Sequence, residues 1–205
     1  MKCTTFVLGD IYTNTYLLED ESTSYLAVVD PACKSEKLID AVKERGGKLK
    51  YILLTHGHFD HIGGVKALVD EFSPEVYAGI DEIRLIENPQ LNGSAWHNLH
   101  IDEFEIDRKL EDEDTFMLGN TQFKFITTPG HTRGSGCYIA DDCIFSGDTL
   151  FYRSIGRTDF PTSSMSDMNL SMLKLSSLEG DYAVYPGHDI STKLSDERKY
   201  NPFMR

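Results

Sequence analysis

With 205 residues the chain has the length of one domain, and its 40% hydrophobic and 11% aromatic content is ordinary for a globular protein. A formal net charge of -13 argues against nucleic acid as a partner, because phosphate binding requires clustered lysine and arginine. No stretch is long enough for a membrane helix, and the N-terminal apolar run is too short for a signal peptide. We therefore expect no membrane partner and a cytoplasmic location.

The first half of the chain predicts short strands that alternate with helices. Apolar runs indicate strands at residues 4–8, 14–18, 25–29, 51–54 and 76–78. Ser35 is a suitable N-cap for a helix that ends at Gly46-Gly47, and further helices are predicted at 65–72 and 80–86.

The second half begins with a long segment that has no clear pattern. Residues 88–114 are polar, contain Asn88-Pro89 and Asn92-Gly93 and end in an acidic run, so we predict a long insertion or loop there. The pattern then predicts strands at 122–127, 136–139, 143–145 and 182–185, and helices at 168–178 and 196–200. This loose alternation predicts a single α/β domain over residues 1–205 with mixed sheets.

A histidine-rich segment directly follows the strand predicted at 51–54. From Thr55 to His61 it reads Thr-His-Gly-His-Phe-Asp-His, and it holds three of the seven histidines in the chain. Imidazole nitrogens and a carboxylate oxygen suit Zn²⁺, Fe²⁺ or Mn²⁺. In an extended turn His56 and His58 point the same way and can share one metal, whereas Asp60 and His61 can serve a second. A solvated turn is the alternative, but such clustering is rare when histidine is sparse.

Three further strand ends carry one potential ligand each, next to a glycine that allows a sharp turn. His131 follows Pro-Gly after the strand at 122–127, Asp148 follows Ser-Gly after the strand at 143–145, and His188 follows Pro-Gly after the strand at 182–185. A single histidine after Pro-Gly is more often a turn residue than a ligand. Together with the histidine-rich segment, however, these positions supply seven ligands, enough for two metals with open positions for water.

This set of motifs resembles the metallo-β-lactamase superfamily, and most closely its small glyoxalase II-like (hydroxyacylglutathione hydrolase-like) branch. The resemblance covers essentially the whole chain and includes residues 147–151 and 155–161. It implies a four-layer αββα sandwich with two divalent metal ions, zinc in the first place and iron or manganese as alternatives, at one edge. By this likeness, three sets of ligands are expected: His56, His58 and His131 for the first metal; Asp60, His61 and His188 for the second; and Asp148 for both.

The resemblance also implies a hydrolase that cleaves thioesters with a metal-bound hydroxide, with Asp60 and Asp148 as catalytic residues. The substrate expected is a small thioester, such as the glutathione-derived S-D-lactoylglutathione. The family's basic residue after the bridging aspartate aligns with Arg157, an expected anion contact. Its substrate-contacting tyrosine is replaced by Asp159, which could instead pair with Arg157. The helical C-terminal domain that clasps glutathione in longer members has no counterpart in these 205 residues, so the identity of the thiol stays open.

Two other readings stay open at this point. The motifs also resemble persulfide dioxygenases, which would hold one Fe²⁺ with His56, His131 and Asp148 and leave positions for O₂. A binding protein with an inactive site is the other alternative. We expect neither β-lactam hydrolysis, since no export signal is visible, nor nuclease activity, since no basic groove is indicated. His97 and His100 are expected to lie outside the metal site, and the oligomeric state is left open.

Overall fold

Two mixed six-stranded sheets form the frame of the protein in the computed structural model, which describes residues 1–204. The first sheet contains, in spatial order, Lys2–Leu8 (β1), Thr13–Asp20 (β2), Tyr25–Val29 (β3), Leu49–Leu54 (β4), Glu75–Gly79 (β5) and Arg108–Leu110 (β6). β1, β2 and β3 pair antiparallel, whereas β3, β4, β5 and β6 pair parallel.

The second sheet is built from the remainder of the chain, which also contributes a two-stranded ribbon. Its strands are, in chain order, Thr115–Leu118 (β7), Thr121–Thr127 (β8), Gly136–Ala140 (β9) and Cys143–Gly147 (β10), followed by the ribbon strands Leu150–Phe151 (β11) and Ser154–Ile155 (β12), and then Ala183–Pro186 (β13) and Thr192–Lys193 (β14). The spatial order is β14-β13-β10-β9-β8-β7, with only β10 and β13 paired parallel as neighbours.

Six α-helices cover the outer faces and the connections. They are Glu36–Glu44 (α1), Phe59–Ile62 (α2), Val65–Phe72 (α3), Ile83–Ile86 (α4), Met165–Ser176 (α5) and Leu194–Tyr200 (α6). Short 3₁₀ turns occur at Ile80–Glu82, Ser94–His97 and Pro202–Met204. Within residues 1–204, no helix is both long enough and apolar enough to span a bilayer.

Three apolar layers separate four layers of secondary structure. Alternation along β3 shows why: Leu26 and Val28 face α1 and α3, whereas Ala27 and Val29 face the second sheet. The layer between the sheets is aromatic, and Tyr138 at its centre donates hydrogen bonds from its hydroxyl to the carbonyl oxygens of Leu54, at 3.1 Å, and Tyr77, at 3.3 Å. The third layer joins the second sheet to α5. The four-layer αββα sandwich predicted from the sequence is therefore confirmed.

The helix termini follow the capping residues. Ser35 precedes α1 as predicted, and its hydroxyl accepts a hydrogen bond from the N–H of Leu38. Ser164 caps α5 in the same way, so this helix begins at Met165 rather than at residue 168. The helix predicted at 80–86 is divided into a 3₁₀ turn and α4, with Glu82 at the junction.

Residues 88–114 are more ordered than the loop that their composition predicts. Arg108–Leu110 forms β6 on the parallel edge of the first sheet, and Leu110 is fully buried. The strand was missed because it has only three residues and begins with two charges, which give no alternation. Thr115–Leu118 was missed for a similar reason, since it alternates over four residues only.

Candidate metal centre

The strand directions explain why distant residues meet at one edge of the sandwich. β3, β4 and β5 run parallel in the first sheet, and in the second sheet β8, β10 and β13 share one direction. The segments that leave their carboxyl ends are therefore neighbours. These exits carry Asp30 after β3, the histidine-rich segment after β4, Glu82 after β5, His131 after β8, Asp148 after β10 and His188 after β13.

His56, His58 and His131 form the first group of potential ligands. All three imidazoles are buried, and one nitrogen from each lies within 4.8 Å of the others. Nδ1 of His58 is 2.9 Å from Nε2 of His131. The other nitrogen of His131, Nδ1, lies 2.9 Å from the carbonyl oxygen of Arg157, and Nδ1 of His56 lies 3.1 Å from the hydroxyl of Thr55. Those contacts orient the rings and direct Nε2 of His131 and His56 inward.

Asp60, His61 and His188 form the second group, again with ligand atoms within 4.8 Å of one another. Oδ2 of Asp60 lies 3.3 Å from Nε2 of both His61 and His188, and it accepts a 2.8 Å hydrogen bond from the hydroxyl of Thr13. Nδ1 of His61 lies 3.0 Å from Oδ2 of Asp30, so its Nε2 is turned into the group.

Asp148 lies between the two groups. Its Oδ2 is 3.5 Å from Nε2 of His131 and 3.7 Å from Nε2 of His188, while its Oδ1 is 3.5 Å from Nε2 of His61. One carboxylate therefore contacts members of both groups, as a bridging ligand would.

Four buried polar atoms in the described part of the chain make no hydrogen bond, and all belong to the predicted ligands: Nε2 of His56, Nε2 of His58, Nε2 of His61 and Oδ1 of Asp148. A buried polar atom without a partner costs about 1–3 kcal/mol, so their concentration at one place requires an explanation. Buried imidazole nitrogens and carboxylate oxygens without protein partners are suitable donors for divalent metals. The residues therefore fit a metal site.

The electrostatics of the two groups differ. Burial, helped by His131 and His61, lowers the pKa of the His58 imidazole to about 3, and burial likewise brings the pKa of His56 well below its ordinary value. These rings are neutral at pH 7, the form that binds metal. Burial would also lower the pKa of His61, but the carboxylates of Asp60, Asp148 and Asp30 outweigh it and raise that pKa well above its ordinary value. The second group is thus an environment that favours a cation.

Glycine is required where the loops of the second sheet approach this centre. A Cβ atom at Gly187 would overlap Oδ1 of Asp148 and would lie 2.7 Å from Cε1 of His61. Gly147 has a φ of 47°, and a Cβ atom there would overlap the hydroxyl of Thr55. The Ser-Gly and Pro-Gly sequences before Asp148 and His188 therefore serve close packing as well as turning.

Comparison with known proteins agrees with the fold. A model of the metallo-β-lactamase superfamily matches residues 8–188. The chain belongs to this superfamily. Its members use divalent metals, and the two groups described above fit that requirement.

Several metallo-β-lactamase superfamily proteins match nearly the whole chain. The hydroxyacylglutathione hydrolase GloC of Haemophilus influenzae is 33% identical over 191 residues, which cover 91% of this chain and 89% of GloC. The crystal structure of the BLEG-1 B3 metallo-β-lactamase has a TM-score of 0.92 at 36% identity and covers 99% of both chains. The structure of TTHA1623 in a di-iron-bound form has a TM-score of 0.86 at 33% identity, covering 98% of this chain and 99% of that one.

The structure brings the seven residues predicted as ligands together. Arg157, the predicted anion contact, instead pairs with another side chain of the protein. Nε and Nη2 of Arg157 each lie 2.9 Å from an oxygen of Asp159, and the guanidinium packs 4.2 Å from the ring centroid of Phe160. The pairing with Asp159 was one of the two roles considered for Arg157. The backbone of this residue also contributes, through the carbonyl oxygen that contacts His131.

The segment predicted as an insertion borders the site. The N–H of Phe59 donates to the carbonyl oxygen of Asn92, and the ring of Phe59 packs against His97 in a tilted arrangement with 4.6 Å between centroids. A cleft of about 400 Å³ lies there, next to Asp60, with Ile11 and Leu99 among its walls. His97 and the exposed His100 both border this cleft, and His100 also pairs with Asp102.

Two supporting carboxylates were missed by the sequence interpretation. Asp30 lies close enough to His56 and His61 to resemble a ligand, but its oxygens accept hydrogen bonds from the N–H and the hydroxyl of Thr55 and contact Nδ1 of His61. Its role is therefore to orient ligands. Glu82 is the other, and burial raises its pKa to about 7 against the hydrogen bonds that it accepts. The only signal for either was an acidic residue at the end of a parallel strand.

Proposed function

We propose that this chain is a two-metal hydrolase of thioesters, of the glyoxalase II type. In this proposal His56, His58 and His131 hold one divalent ion, Asp60, His61 and His188 hold the other, and Asp148 contacts both. Zinc is the metal proposed, since three imidazoles per ion or a mixture of imidazole and carboxylate are typical zinc donors. The observation that carries the proposal is the position of Asp148, within 3.7 Å of both ligand groups.

Ions bound there would lower the pKa of a shared water towards about 7 and polarise the carbonyl of the substrate. The residues of the chain have separate tasks. Burial alone would raise the pKa of Asp60, but the neighbouring His61 and the contacts that His188 and His61 make with the carboxylate outweigh it and hold that pKa well below its ordinary range. Asp60 therefore stays ionised at neutral pH.

Asp60 is also suited to orient the water that attacks the substrate. Its contacts with Thr13, His61 and His188 all involve Oδ2, which leaves Oδ1 to accept a hydrogen bond from that water. Because Asp60 lines the cleft, a substrate bound there would lie next to its carboxylate. In the net reaction the water supplies the oxygen of the new carboxylate, the carbon–sulfur bond breaks, and the leaving sulfur takes up a proton to become a thiol.

The substrate proposed is a small glutathione-derived thioester. The similarity to the hydroxyacylglutathione hydrolase GloC supports this choice, and the cleft next to Asp60 has a volume suited to a small molecule. Contact between Arg157 and a substrate carboxylate would require the guanidinium to leave Asp159. The pair is exposed, with 65% and 67% of the two side chains accessible, so this exchange costs little.

The proposal is tested by metal analysis of protein purified without added metal, together with a panel of substrates. We expect two zinc ions per chain and turnover of S-D-lactoylglutathione. The panel should include a β-lactam, because the similar BLEG-1 is a β-lactamase, and glutathione persulfide with an oxygen electrode. An Asp148→Asn variant should lose both turnover and one or both metals, whereas an Asp142→Asn variant, altered on the exposed turn before β10, should match the wild type.

Other outcomes identify the alternatives. One iron per chain with oxygen uptake on glutathione persulfide would replace the proposal with the dioxygenase reading. Two metals with β-lactam cleavage but no thioester cleavage would keep the metal centre and change the substrate class. A His58→Ala variant with unchanged metal content would contradict the ligand assignment itself.

A further inference from the structure

A buried carboxylate that is not among the predicted ligands joins two of the loops that carry them. Glu82 ends the 3₁₀ turn after β5, and only 1% of its surface is accessible. An ionised carboxylate in such a place must accept several hydrogen bonds to offset the loss of water. The donors that it has found are all in loops of the metal centre.

The three hydrogen bonds divide between two loops from different sheets. Oε1 of Glu82 accepts from the N–H of Gly57 at 2.8 Å, in the loop after β4. Oε2 accepts from the N–H of Gly134 and from the hydroxyl of Thr132, both at 2.9 Å, in the loop after β8. Gly57 lies between His56 and His58 in the sequence, and Thr132 directly follows His131.

The relative position of these two loops determines the spacing of the ligands in the first group. Nδ1 of His58 and Nε2 of His131 are 2.9 Å apart, although the two residues come from different sheets. Their separation is set by how the two loops lie against each other. One backbone hydrogen bond, from Gly136 N–H to Thr55 O, joins the loops at their base, and Glu82 joins them next to the ligands.

We propose that Glu82 is a positioning residue for the metal held by His56, His58 and His131. It fixes the distance between the two ligand loops and has no corresponding effect on the metal held by Asp60, His61 and His188. This inference rests on the two metal sites of the proposed function but not on the substrate.

The variant Glu82→Gln tests this with a minimal change of shape. A carboxylate can accept at both oxygens, whereas an amide accepts at one and donates at the other. In either orientation of the amide, one backbone N–H, of Gly57 or of Gly134, is left facing another donor inside the protein. The link between the loops is thereby weakened while the side-chain volume is kept.

The control variant is Asp81→Asn, which removes the neighbouring negative charge from the same 3₁₀ turn but at an exposed position. A second test variant, Thr132→Val, removes one of the three hydrogen bonds to Glu82, together with the contact between the Thr132 and Ser135 hydroxyls, and keeps both backbone donors. It provides a weaker version of the same change should Glu82→Gln fail to fold, which thermal melting would reveal.

The experiment measures zinc affinity by chelator competition in two backgrounds. A His188→Ala chain retains the complete first group, and a His58→Ala chain retains the complete second group. We expect Glu82→Gln to weaken zinc binding by about tenfold or more in the His188→Ala chain, the scale found for residues that orient metal ligands. In the His58→Ala chain we expect no change, and Asp81→Asn should have no effect in either.

Equal losses in the two backgrounds would overturn the inference, because they would indicate a general structural role for Glu82. Unchanged affinity in the His188→Ala chain with both Glu82→Gln and Thr132→Val would overturn it as well. Failure of the proposed function gives a different pattern: the wild type and Asp81→Asn would then fail to bind two metals, before any effect of Glu82 is measured.

Discussion

Nδ1 of His61 lies 3.0 Å from Oδ2 of Asp30, and both side chains are buried. The same carboxylate accepts two hydrogen bonds from Thr55 at the start of the histidine-rich segment. Asp30 therefore fixes the orientation of His61 and the path of the loop that carries His56 and His58. A ligand that is oriented in this way is more basic and loses less freedom when a metal binds.

We expect Asp30→Asn to weaken metal binding by about 10- to 100-fold, because an amide accepts at only one of its two positions. Its NH₂ group would face either the Thr55 N–H or the Thr55 hydroxyl together with Nδ1 of His61. Competition titration with a chromogenic chelator measures the change. Asp40→Asn, at an exposed position of α1, is the matched control and should bind metal like the wild type. Wild-type affinity in Asp30→Asn would contradict an orienting role.

Gly187→Ala should abolish activity while the fold is retained. The new methyl group would overlap Asp148 and approach His61, so the carboxylate would have to move away from both ligand groups. Turnover, metal content and circular dichroism together measure this. In the control Gly180→Ala no neighbouring atom lies within 4 Å, although φ is 87°, so only backbone strain of about 1 kcal/mol is expected. An active Gly187→Ala enzyme would refute the close approach.

His97→Ala should raise KM with little change in kcat or metal content. The imidazole packs against Phe59 in the wall of the cleft next to Asp60 and is not among the proposed ligands, so its loss removes binding surface only. Steady-state kinetics with the thioester substrate measure the effect. Gln90→Ala, at an exposed position of the same segment that does not line the cleft, should leave KM unchanged. A fall in kcat at constant KM in His97→Ala would argue against this assignment.

Acid should destabilise the protein partly through Asp20, whose pKa is held below its ordinary value of 3.8 by the Ser22 hydroxyl and, against the effect of burial, by Thr23 and Thr121. Because the folded pKa is depressed, the stabilisation is present above pH 3.8 and is lost as pH falls through the folded pKa. We expect Asp20→Asn to lower the free energy of unfolding at pH 7 by about 1–3 kcal/mol and to flatten its acid dependence. Urea titrations between pH 2 and 7 measure both effects.

The exposed Asp10→Asn substitution is the control for charge in this measurement, and its unfolding should follow the wild type at each pH. Parallel acid profiles for wild type and Asp20→Asn would show that Asp20 makes no pH-dependent contribution.

The Asp20 carboxylate also joins the two sheets. Its Oδ2 accepts hydrogen bonds from the N–H of Asn120, in the turn between β7 and β8, and from the hydroxyl of Thr121 at the start of β8.

Removal of metal should lower the melting temperature. The proposed ligands come from both sheets, so bound ions would hold the two halves together, and a ligand at 100 times its Kd stabilises the folded state by about 2.7 kcal/mol. Thermal melts with and without a chelator measure this. The His58→Ala variant should show a smaller difference. Identical melting temperatures for loaded and chelated wild type would contradict metal bridging between the sheets.

The residue pattern predicted an α/β domain with mixed sheets, and the resemblance to the metallo-β-lactamase superfamily implied its four layers. The seven residues that come together could be predicted because histidine is rare in this chain and each of them follows a strand. The sequence was insufficient for Asp30 and Glu82, two among 33 acidic residues. Their importance depends on parallel pairing of β3, β4 and β5, which brings together loops separated by tens of residues. Glu82 also falls in a predicted helix, where an acid is normally solvated. Short edge strands such as β6 were missed because backbone pairing, rather than side-chain pattern, creates them.

The aromatic layer around Tyr138 has a consequence for how this enzyme can diverge. The proposed ligands come from both sheets: His56, His58, Asp60 and His61 from one, and His131, Asp148 and His188 from the other. The thickness of the layer between the sheets therefore sets the gap across which these residues face each other. Metals differ in preferred bond length and geometry by amounts that small changes in packing can produce. Substitutions in this buried layer can therefore change the preferred metal during evolution, even when every proposed ligand is unchanged.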